Sequence, residues 1–333
     1  MNVNISSQFL KRVFTCLLSI SLVAGCESMQ AQQITIREEN VVYGQSNGEL
    51  ADQGYTRTYD IYTPKSYSPS RPMPLVMVFH GDEGSGRSIS NVSQFNKLAD
   101  QKGFIVVYPD GIDQRWSIKN KNKRNIDDVS FVKNFINHIQ EVRNIDNRRI
   151  YASGFSRGGI LTQALSCELS DKIAAFASVA GSLPRRLKPN CQPEMPVSML
   201  MINGTNDQSV NYQGDKKTQK GSLVSIPEAI EFWRTHNQCP EYTAKNDTFL
   251  AGNQSDAPAG SRASRDRSKL KTYSYSGCSA GSEVVELAVV NGGHLWYGGS
   301  STDKDVNDFN KDLGLDSTQT IWDFFERHTL PLV

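Results

Sequence analysis

The chain has 333 residues, of which 38% are hydrophobic and 21% are charged. This length and composition are typical of a globular protein with one large domain or two small ones. The formal net charge of +1 gives no broad electrostatic reason for binding nucleic acid, so we expect no nucleic-acid partner.

The N-terminal 25 residues have the pattern of a secretory signal peptide. Lys11 and Arg12 precede a short apolar run over residues 13–24. A basic region, a short apolar region and small residues before the cleavage site are typical of exported proteins. The run is too short for a comfortable membrane span, which favours a cleaved signal over residues 1–25.

The signal ends in LVAGC, and this ending places a cysteine, Cys26, at the predicted cleavage site. The ending resembles the lipobox of bacterial lipoproteins, in which the cysteine is acylated and becomes the first residue of the mature chain. We therefore expect Cys26 to anchor the protein to a membrane and residues 26–33 to form a lipidated tether. The alternative is an ordinary cleaved signal with a coincidental cysteine.

Export changes the interpretation of the cysteines that follow the signal. Two disulfides are expected in an oxidising compartment, but four cysteines allow three connectivities, and their spacing does not choose among them. No C-x-x-C motif or His/Cys cluster indicates a metal site. The four cysteines after Cys26 are Cys167, Cys191, Cys239 and Cys278.

Strand patterns recur along the rest of the chain. YTRTYDIYTP, which begins at Tyr55, alternates β-forming and polar residues, as an edge or antiparallel strand does. Later apolar runs are nearly continuous, which is typical of parallel strands covered on both faces. These runs are PLVMVFHG, GFIVVYPDG, RRIYASGFS and PVSMLMINGT.

Amphipathic helix patterns lie between and after these runs. They are DDVSFVKNFINHIQEV, SRGGILTQALSCEL, SIPEAIEFWRTHNQC and TQTIWDFFERH. The alternation of strands and helices predicts one α/β domain over residues 34–333, with a mostly parallel sheet and helices on both faces. The polar stretch over residues 246–268 is predicted to be a surface loop rather than a domain boundary.

A G-x-S-x-G motif, residues 154–158, lies between a predicted strand and a predicted helix. The pentapeptide alone is a weak signal, because glycines also serve an ordinary tight turn. A sharp strand-to-helix turn, however, would present Ser156 as a nucleophile and would need small neighbours. The N–H of Arg157 would then lie at a helix N-terminus, where it can stabilise an oxyanion.

A nucleophilic serine needs a base, and in α/β-hydrolases the chain order is serine, acid, histidine. Three histidines follow Ser156. His236 and His328 fall in helix patterns, whereas His294 lies on a glycine-rich loop after an apolar run, so His294 is the predicted base. Asp207 follows an apolar run and a Gly-Thr turn, and is the predicted acid that orients the imidazole.

The loop after PLVMVFHG is predicted to supply the second oxyanion donor, the N–H of Asp82. His80 would organise this loop rather than transfer protons. Trp116 and Trp296 are candidates for flat apolar walls of an acyl-binding pocket. They could equally be packing residues, and the sequence does not decide between these roles.

Six blocks of the sequence, LVMVFHG, GFIVVYPDG, NIDDVSFV, RRIYASGFSRGG, INGTNDQSVNYQG and NGGHLWYGG, occur in this order. They resemble the polyhydroxybutyrate depolymerase and feruloyl esterase family, the secreted group within family one of the carbohydrate esterases. The resemblance covers roughly residues 50–330. It implies an α/β-hydrolase fold, carboxylic-ester hydrolysis and no cofactor. It also implies the disulfides Cys167–Cys191 and Cys239–Cys278.

The chain departs from that family at three positions near the predicted site. Asp82 stands where the family often has Cys or Gly, Asn203 where it usually has His, and Tyr297 where it commonly has Pro. None of these removes a predicted catalytic residue. Asp82 and Glu83 do place negative charge beside the expected oxyanion hole.

These observations predict an exported serine esterase whose substrate is a polyester, a feruloyl or acetyl ester of the plant cell wall, or a small ester. Two alternatives stay open. A serine peptidase of the prolyl-oligopeptidase type could use the same triad, but it would need a gating domain for which the sequence leaves no room. A non-catalytic binding protein on a hydrolase scaffold would not need the intact set of Ser156, Asp207 and His294.

Overall fold

One large β-sheet organises the part of the chain that the structure describes. The structure is a computed structural model, and it describes residues 41–118, 126–215, 222–240, 244–249, 269–301 and 313–332. The predicted signal peptide, Cys26 and the tether lie outside these residues.

Within the described residues the sheet has ten strands, in the order β1-β2-β4-β3-β5-β6-β7-β10-β9-β8. The six central strands, from β4 to β10, are parallel, and an antiparallel pair flanks them at each side. The strands are β1 (Gly44–Asp52), β2 (Tyr55–Thr63), β3 (Met73–Phe79), β4 (Ile105–Pro109), β5 (Ile145–Phe155), β6 (Ala175–Val179), β7 (Met199–Gly204), β8 (Ala244–Phe249), β9 (Lys269–Tyr275) and β10 (Val284–Val289).

Helices cover both faces of this sheet. The described α-helices are α1 (Gly86–Ser93), α2 (Phe95–Lys102), α3 (Asp128–Val142), α4 (Arg157–Glu168), α5 (Ile226–His236) and α6 (Ser317–Phe325). Apolar side chains of α3, α4 and α5 pack in one layer, and those of α1, α2 and α6 pack in the other. The predicted α/β architecture with helices on both faces is therefore confirmed.

Strand β3 shows why its sequence is apolar without interruption. Leu75 and Met77 face the layer that contains α3, α4 and α5, whereas Val76 and Val78 face the opposite layer. All four side chains are fully buried. A strand that is covered on both faces has no solvent-exposed side, so its sequence lacks the alternating polar residues of a half-exposed strand.

One expectation about local structure was wrong in part. The first four residues of the polar stretch predicted as a loop, 246–249, lie in β8, which pairs antiparallel with β9, whereas residues 250–268 lie outside the described residues. Backbone pairing in the sheet overrides the polar composition here. His328, one of the two histidines set aside in favour of His294, is buried, and its Nδ1–H donates to the Phe324 carbonyl at 2.7 Å.

Two disulfides crosslink segments of the described chain on the α4 and α5 side of the sheet. Cys167 in α4 pairs with Cys191, and Cys239 after α5 pairs with Cys278. This is the pairing that the family resemblance implied. Among the residues that the structure describes, no helix combines the length and the apolar character needed to cross a membrane.

Candidate active site

Ser156 occupies a strained turn between β5 and α4. Its φ is +54° and its ψ is −115°, a conformation that costs a non-glycine residue about 1–3 kcal/mol. The backbone is held there because the Ser156 N–H donates to the Val179 carbonyl at 2.9 Å. The Ser156 side chain does not cap the helix. The turn therefore presents the hydroxyl instead of using it locally.

The glycines of the motif are required by close backbone contacts. A Cβ at Gly154 would lie 2.3 Å from the Gly158 carbonyl, and a Cβ at Gly158 would lie 2.2 Å from the Phe79 carbonyl oxygen. Any side chain at these positions would push the first turn of α4 away from the ends of β3 and β5. The glycines of the G-x-S-x-G motif are therefore needed for a tight strand-to-helix turn, which the sequence predicted.

Asp207 and His294 meet at the carboxyl edge of the sheet. Nδ1 of His294 donates to Oδ2 of Asp207 at 2.7 Å. Oδ1 of Asp207 accepts from the N–H groups of Ser209 and Val210, both at 2.8 Å. The Asp207 side chain is 0% exposed and that of His294 is 23% exposed. A buried carboxylate with fixed partners orients an imidazole that remains accessible on its other side.

Ser156 is connected to this pair through its chain neighbour Phe155 and not through a hydrogen bond. The ring of Phe155, its neighbour in the chain, lies 4.9 Å from the imidazole of His294, centroid to centroid. Among the described contacts, no hydrogen bond joins the Ser156 hydroxyl to His294. In free serine hydrolases the hydrogen bond between the nucleophile and its base is often long, and it shortens when substrate binds.

The loops that carry the acid and the histidine are locked together by their backbones. The Asn206 N–H donates to the Gly292 carbonyl, and the Asn291 N–H donates to Oγ1 of Thr205, both at 2.9 Å. A Cβ at Gly204 would lie 2.2 Å from the Gly292 oxygen. Glycine at the end of β7 therefore lets the two loops approach each other and holds the Asp207–His294 pair in place.

Tyr297 is a site residue whose role the sequence did not reveal. Its hydroxyl donates at 2.8 Å to the carbonyl of Gly293, the residue before His294. The phenol is fully buried, and burial followed by the nearby Asp207 carboxylate raises its pKa. In the sequence, the only indication of this role was that Tyr297 stands where the family commonly has proline. Such a difference does not show which groups the tyrosine side chain contacts.

The two predicted oxyanion donors both have free N–H groups. Arg157 is the first residue of α4, and Asp82 lies in the loop after β3. Within the described part of the chain, neither backbone N–H donates to a protein acceptor. A Cβ at Gly81 would touch the Ser156 Cβ at 3.4 Å, which places the loop of Asp82 directly against Ser156.

The acidic pair beside this loop has a cationic partner. Nε of Arg115 lies 3.4 Å from Asp82, and a terminal nitrogen of the same guanidinium lies 3.2 Å from Glu83. All three side chains are largely exposed, so water and salt screen the charges. The negative charge beside the predicted oxyanion donors is therefore partly offset.

The two tryptophans considered as pocket walls are core residues in this structure. Trp116 is 1% exposed and Trp296 is 3% exposed. The Trp296 indole N–H donates to Oγ1 of Thr318 at 3.0 Å, and the Trp116 indole N–H donates to the His80 carbonyl at 2.8 Å. These contacts favour the packing role, which the sequence had left as the alternative for both.

The described residues also bear on metal binding. Among them, no group of three or more His, Cys, Asp or Glu side chains is arranged to hold a metal ion. The clustered polar groups of the site are instead a hydroxyl, an imidazole, one carboxylate and backbone N–H groups. This set suits acyl transfer.

Comparisons with known proteins agree with this geometry. Residues 110–251 match the family model described as phospholipase/carboxylesterase. The chain is 30% identical to feruloyl esterase B of Piromyces equi over 69% of its length, and 26% identical to a bifunctional acetylxylan esterase/xylanase of Neocallimastix patriciarum over 85%. It spans 41% and 35% of the length of these two relatives.

A solved structure, the acetyl xylan esterase from Aspergillus awamori, superposes with a TM-score of 0.54 at 15% identity. The superposition covers 80% of this chain and 99% of that one. The chain has the α/β-hydrolase fold. The resemblance to feruloyl esterases that the sequence blocks indicated is confirmed, and an acetylxylan esterase is also among the relatives.

Within the α/β-hydrolase fold, the edge where Ser156, Asp207 and His294 follow β5, β7 and β10 is the edge that binds ligands in open α/β sheets. These three strands lie close together in the order β5, β6, β7, β10. Sequence reasoning could place each residue after a strand. Only the sheet order shows that the three strand ends are neighbours.

Proposed function

We propose that this protein is a serine carboxylic-ester hydrolase, with Ser156 as nucleophile, His294 as base and Asp207 as the orienting acid. The observation that carries the proposal is the Asp207–His294 hydrogen bond of 2.7 Å at the sheet edge where a serine occupies a strained turn, with its chain neighbour Phe155 against the imidazole. The pair fixes the imidazole tautomer, because Nδ1 keeps its proton toward Asp207 and Nε2 is left to accept one.

In the first half of the reaction, the Ser156 oxygen attacks the ester carbonyl and its proton passes to Nε2 of His294. The carbonyl oxygen becomes an oxyanion, which accepts hydrogen bonds from the N–H groups of Arg157 and Asp82. As the tetrahedral species collapses, the C–O bond to the alcohol breaks. His294 protonates the departing alcohol, and the acyl group remains on Ser156.

In the second half, water replaces the alcohol. His294 takes a proton from the water as its oxygen attacks the acyl carbon, and the same two N–H groups hold the second oxyanion. The bond to the Ser156 oxygen then breaks and His294 returns the proton to it. The products are a carboxylic acid and the free enzyme, with no cofactor consumed.

The substrates we propose are acetyl or feruloyl esters on plant cell-wall polysaccharide. The relatives named acetylxylan esterase and feruloyl esterase support this class. A polyester such as polyhydroxybutyrate and small soluble esters are the alternatives. A panel of acetylated xylan, methyl ferulate, polyhydroxybutyrate film and 4-nitrophenyl acetate separates them by the ratio of kcat/KM values.

Ser156→Ala tests the mechanism itself. We expect hydrolysis of 4-nitrophenyl acetate to fall by several orders of magnitude, because triad members act as a unit. A fluorophosphonate probe should label the wild type and not the variant. Full hydrolysis by Ser156→Ala would refute the assignment. An unlabelled, inactive wild type would favour the non-catalytic binding protein, and cleavage of prolyl peptides without ester hydrolysis would favour the peptidase.

We further propose that the protein is exported and anchored to a membrane through a lipid on Cys26. The two disulfides support an oxidising compartment. An alkyne-tagged palmitate fed to expressing bacteria should label the wild type but not Cys26→Ser, and only the wild type should sediment with membranes. Equal labelling of both would leave an ordinary cleaved signal as the better interpretation.

A further inference from the structure

The two proposed oxyanion donors belong to segments that are distant in the sequence. The Asp82 N–H lies in the loop after β3, and the Arg157 N–H opens α4. An oxyanion hole works only when both donors lie about 2.7–3.1 Å from the same oxygen. Some contact between the two segments must therefore fix their spacing.

Trp116 makes such a contact on both of its sides. Its carbonyl accepts from Nε and a terminal nitrogen of Arg157, at 3.1 and 3.0 Å. Its indole N–H donates to the carbonyl of His80 at 2.8 Å. The Arg157 side chain therefore binds the backbone carbonyl of Trp116, while the indole of Trp116 binds the backbone of His80, two residues before Asp82.

The ring of Trp116 is held firmly enough to act as a spacer. Its ring centroid lies 5.5 Å from that of Phe79, at an interplanar angle of 89°, and 4.7 Å from that of His80. Fully packed aromatic rings have few accessible rotamers. A displacement of either donor segment would therefore have to move a packed core residue.

His80 continues the connection toward the Asp82 loop. Its Nδ1–H donates to the Gly81 carbonyl at 2.7 Å, and its Nε2 accepts from the Gly111 N–H at 3.0 Å. These two bonds require the neutral ring with its proton on Nδ1. Burial lowers the pKa of His80, which keeps the ring in this form at neutral pH. His80 is therefore suited to hold a loop and not to exchange protons.

We propose that Trp116 and His80 are positioning residues that set the spacing of the two oxyanion N–H groups, with the Arg157 side chain as the third member. The proposal rests on the proposed esterase function and deepens it. Trp116 would act on the transition state through the backbone of its neighbours and not as a wall for the acyl group. Its loss should lower kcat and leave KM nearly unchanged.

Trp116→Phe is the first test, because it keeps an aromatic ring and removes the indole N–H. We expect kcat for 4-nitrophenyl acetate and 4-nitrophenyl butyrate to fall by about tenfold or more, with both KM values within about twofold of wild type. A wall residue would behave differently, because its KM effect would grow with acyl length while kcat stayed constant. That second pattern would overturn the proposal.

Trp233→Phe is the matched control. Trp233, in α5, is also fully buried, and its indole N–H donates to Oε1 of Gln163 in α4 at 2.7 Å. This variant should lose a comparable amount of thermal stability and keep kcat. If both variants lowered kcat equally at temperatures where both are folded by circular dichroism, Trp116 would be a general packing residue and the proposal would fail.

A trifluoromethyl ketone supplies a readout that packing alone would not change. Such ketones form a tetrahedral adduct with a catalytic serine and place an oxyanion in the hole. The inhibition constant for Trp116→Phe should rise by the same factor by which kcat/KM falls. His80→Asn, whose shorter side chain places no acceptor at the Nε2 position that receives the Gly111 N–H, should show the same proportionality. It serves as the test if Trp116→Phe does not fold.

A double variant tests whether Trp116 and Arg157 act together in positioning the two N–H groups. Trp116→Phe and Arg157→Gln act on one hydrogen-bonded unit, so the effect of the pair on kcat should be clearly smaller than the product of the single effects. Independent, multiplicative effects would contradict a shared spacer. A wild type that hydrolyses neither ester would instead refute the proposed function, and the two failures are thus distinguishable.

Discussion

At the scale of single residues, Asp207 uses both carboxylate oxygens. One oxygen orients His294, and the other is satisfied by the N–H groups of Ser209 and Val210. Because each oxygen has its own partners, the carboxylate is kept from rotating. A rotation would leave a buried donor or acceptor without its partner. Burial alone would not give this result, because direction matters as much as proximity in orienting an imidazole.

Asp207→Asn should therefore preserve the fold and remove most of the activity. The amide can keep the shape of the carboxylate but favours the wrong imidazole tautomer, which costs about 10⁴-fold in kcat in a comparable triad. Asp215→Asn is the control, since the Asp215 carboxylate accepts only from the Leu223 N–H among the side-chain contacts of the described residues. Steady-state hydrolysis of 4-nitrophenyl acetate measures both. Equal activity of Asp207→Asn and wild type would exclude Asp207 as the acid.

Glu286 is a buried carboxyl group on β10 that the proposed mechanism does not use. The hydroxyl of Tyr212 donates to it, and burial raises the pKa of Glu286. A carboxyl group with a raised folded-state pKa contributes stability below its unfolded pKa of about 4.3 and loses that contribution as pH rises through the folded value.

Glu286→Gln should consequently stabilise the protein at pH 8 and have little effect near pH 4. The amide keeps an acceptor for Tyr212 and carries no charge to desolvate. Guanidinium unfolding at pH 4, 6 and 8 measures the difference in the free energy of unfolding between variant and wild type. A difference that does not change with pH would show that Glu286 is not the titrating group.

At the scale of elements, the loop after β10 decides where His294 lies. Sequence patterns could place His294 after a strand and Asp207 after another, because both follow apolar runs. They could not show the backbone bonds between the loops, since the pairing of Asn206 with Gly292 has no signature in either segment. The same reasoning missed β1, α1 and α2, which are short or largely polar and take their stability from packing.

Tyr297→Phe tests how firmly this loop must be held. Removing the hydroxyl leaves the Gly293 carbonyl without its donor, which should lower the free energy of unfolding by about 1–2 kcal/mol. We also expect kcat to fall, because Gly293 precedes His294. Tyr151→Phe is the matched control, since its buried hydroxyl donates to the His328 carbonyl at 2.9 Å.

The two tyrosine variants should have similar melting temperatures and different turnover. Circular dichroism gives the first quantity and 4-nitrophenyl acetate hydrolysis the second. If Tyr151→Phe lost as much kcat as Tyr297→Phe, the effect would come from general loosening of the core and not from the histidine loop.

At the scale of the whole molecule, the α/β class and the parallel core could be predicted from the sequence, because continuous apolar strands are typical of parallel sheets that are covered on both faces. The sequence could not supply the strand order. β3 lies between β4 and β5, and β10 returns beside β7, although β8 and β9 separate them in the chain. Long-range pairing of this kind is fixed by the global packing of layers, and local composition carries almost no information about it.

The disulfides should make a large contribution to the stability of this molecule. They close loops with sequence separations of 24 and 39 residues. Removing either should lower the free energy of unfolding by about 3–4 kcal/mol, slightly more for the longer loop. Guanidinium unfolding of Cys167→Ala/Cys191→Ala and of Cys239→Ala/Cys278→Ala measures each contribution. Unchanged midpoints would mean that neither crosslink restricts the unfolded chain.

The bridge between Cys239 and Cys278 also encloses β8, β9 and the residues 250–268 that join them in the chain. A protease that cut once within that enclosed stretch would leave both fragments covalently attached. The nicked protein would migrate as one band on a non-reducing gel and as two after thiol treatment. Purity judged without reductant would therefore overlook this damage, and an intact mass spectrum would reveal it only as the gain of one water.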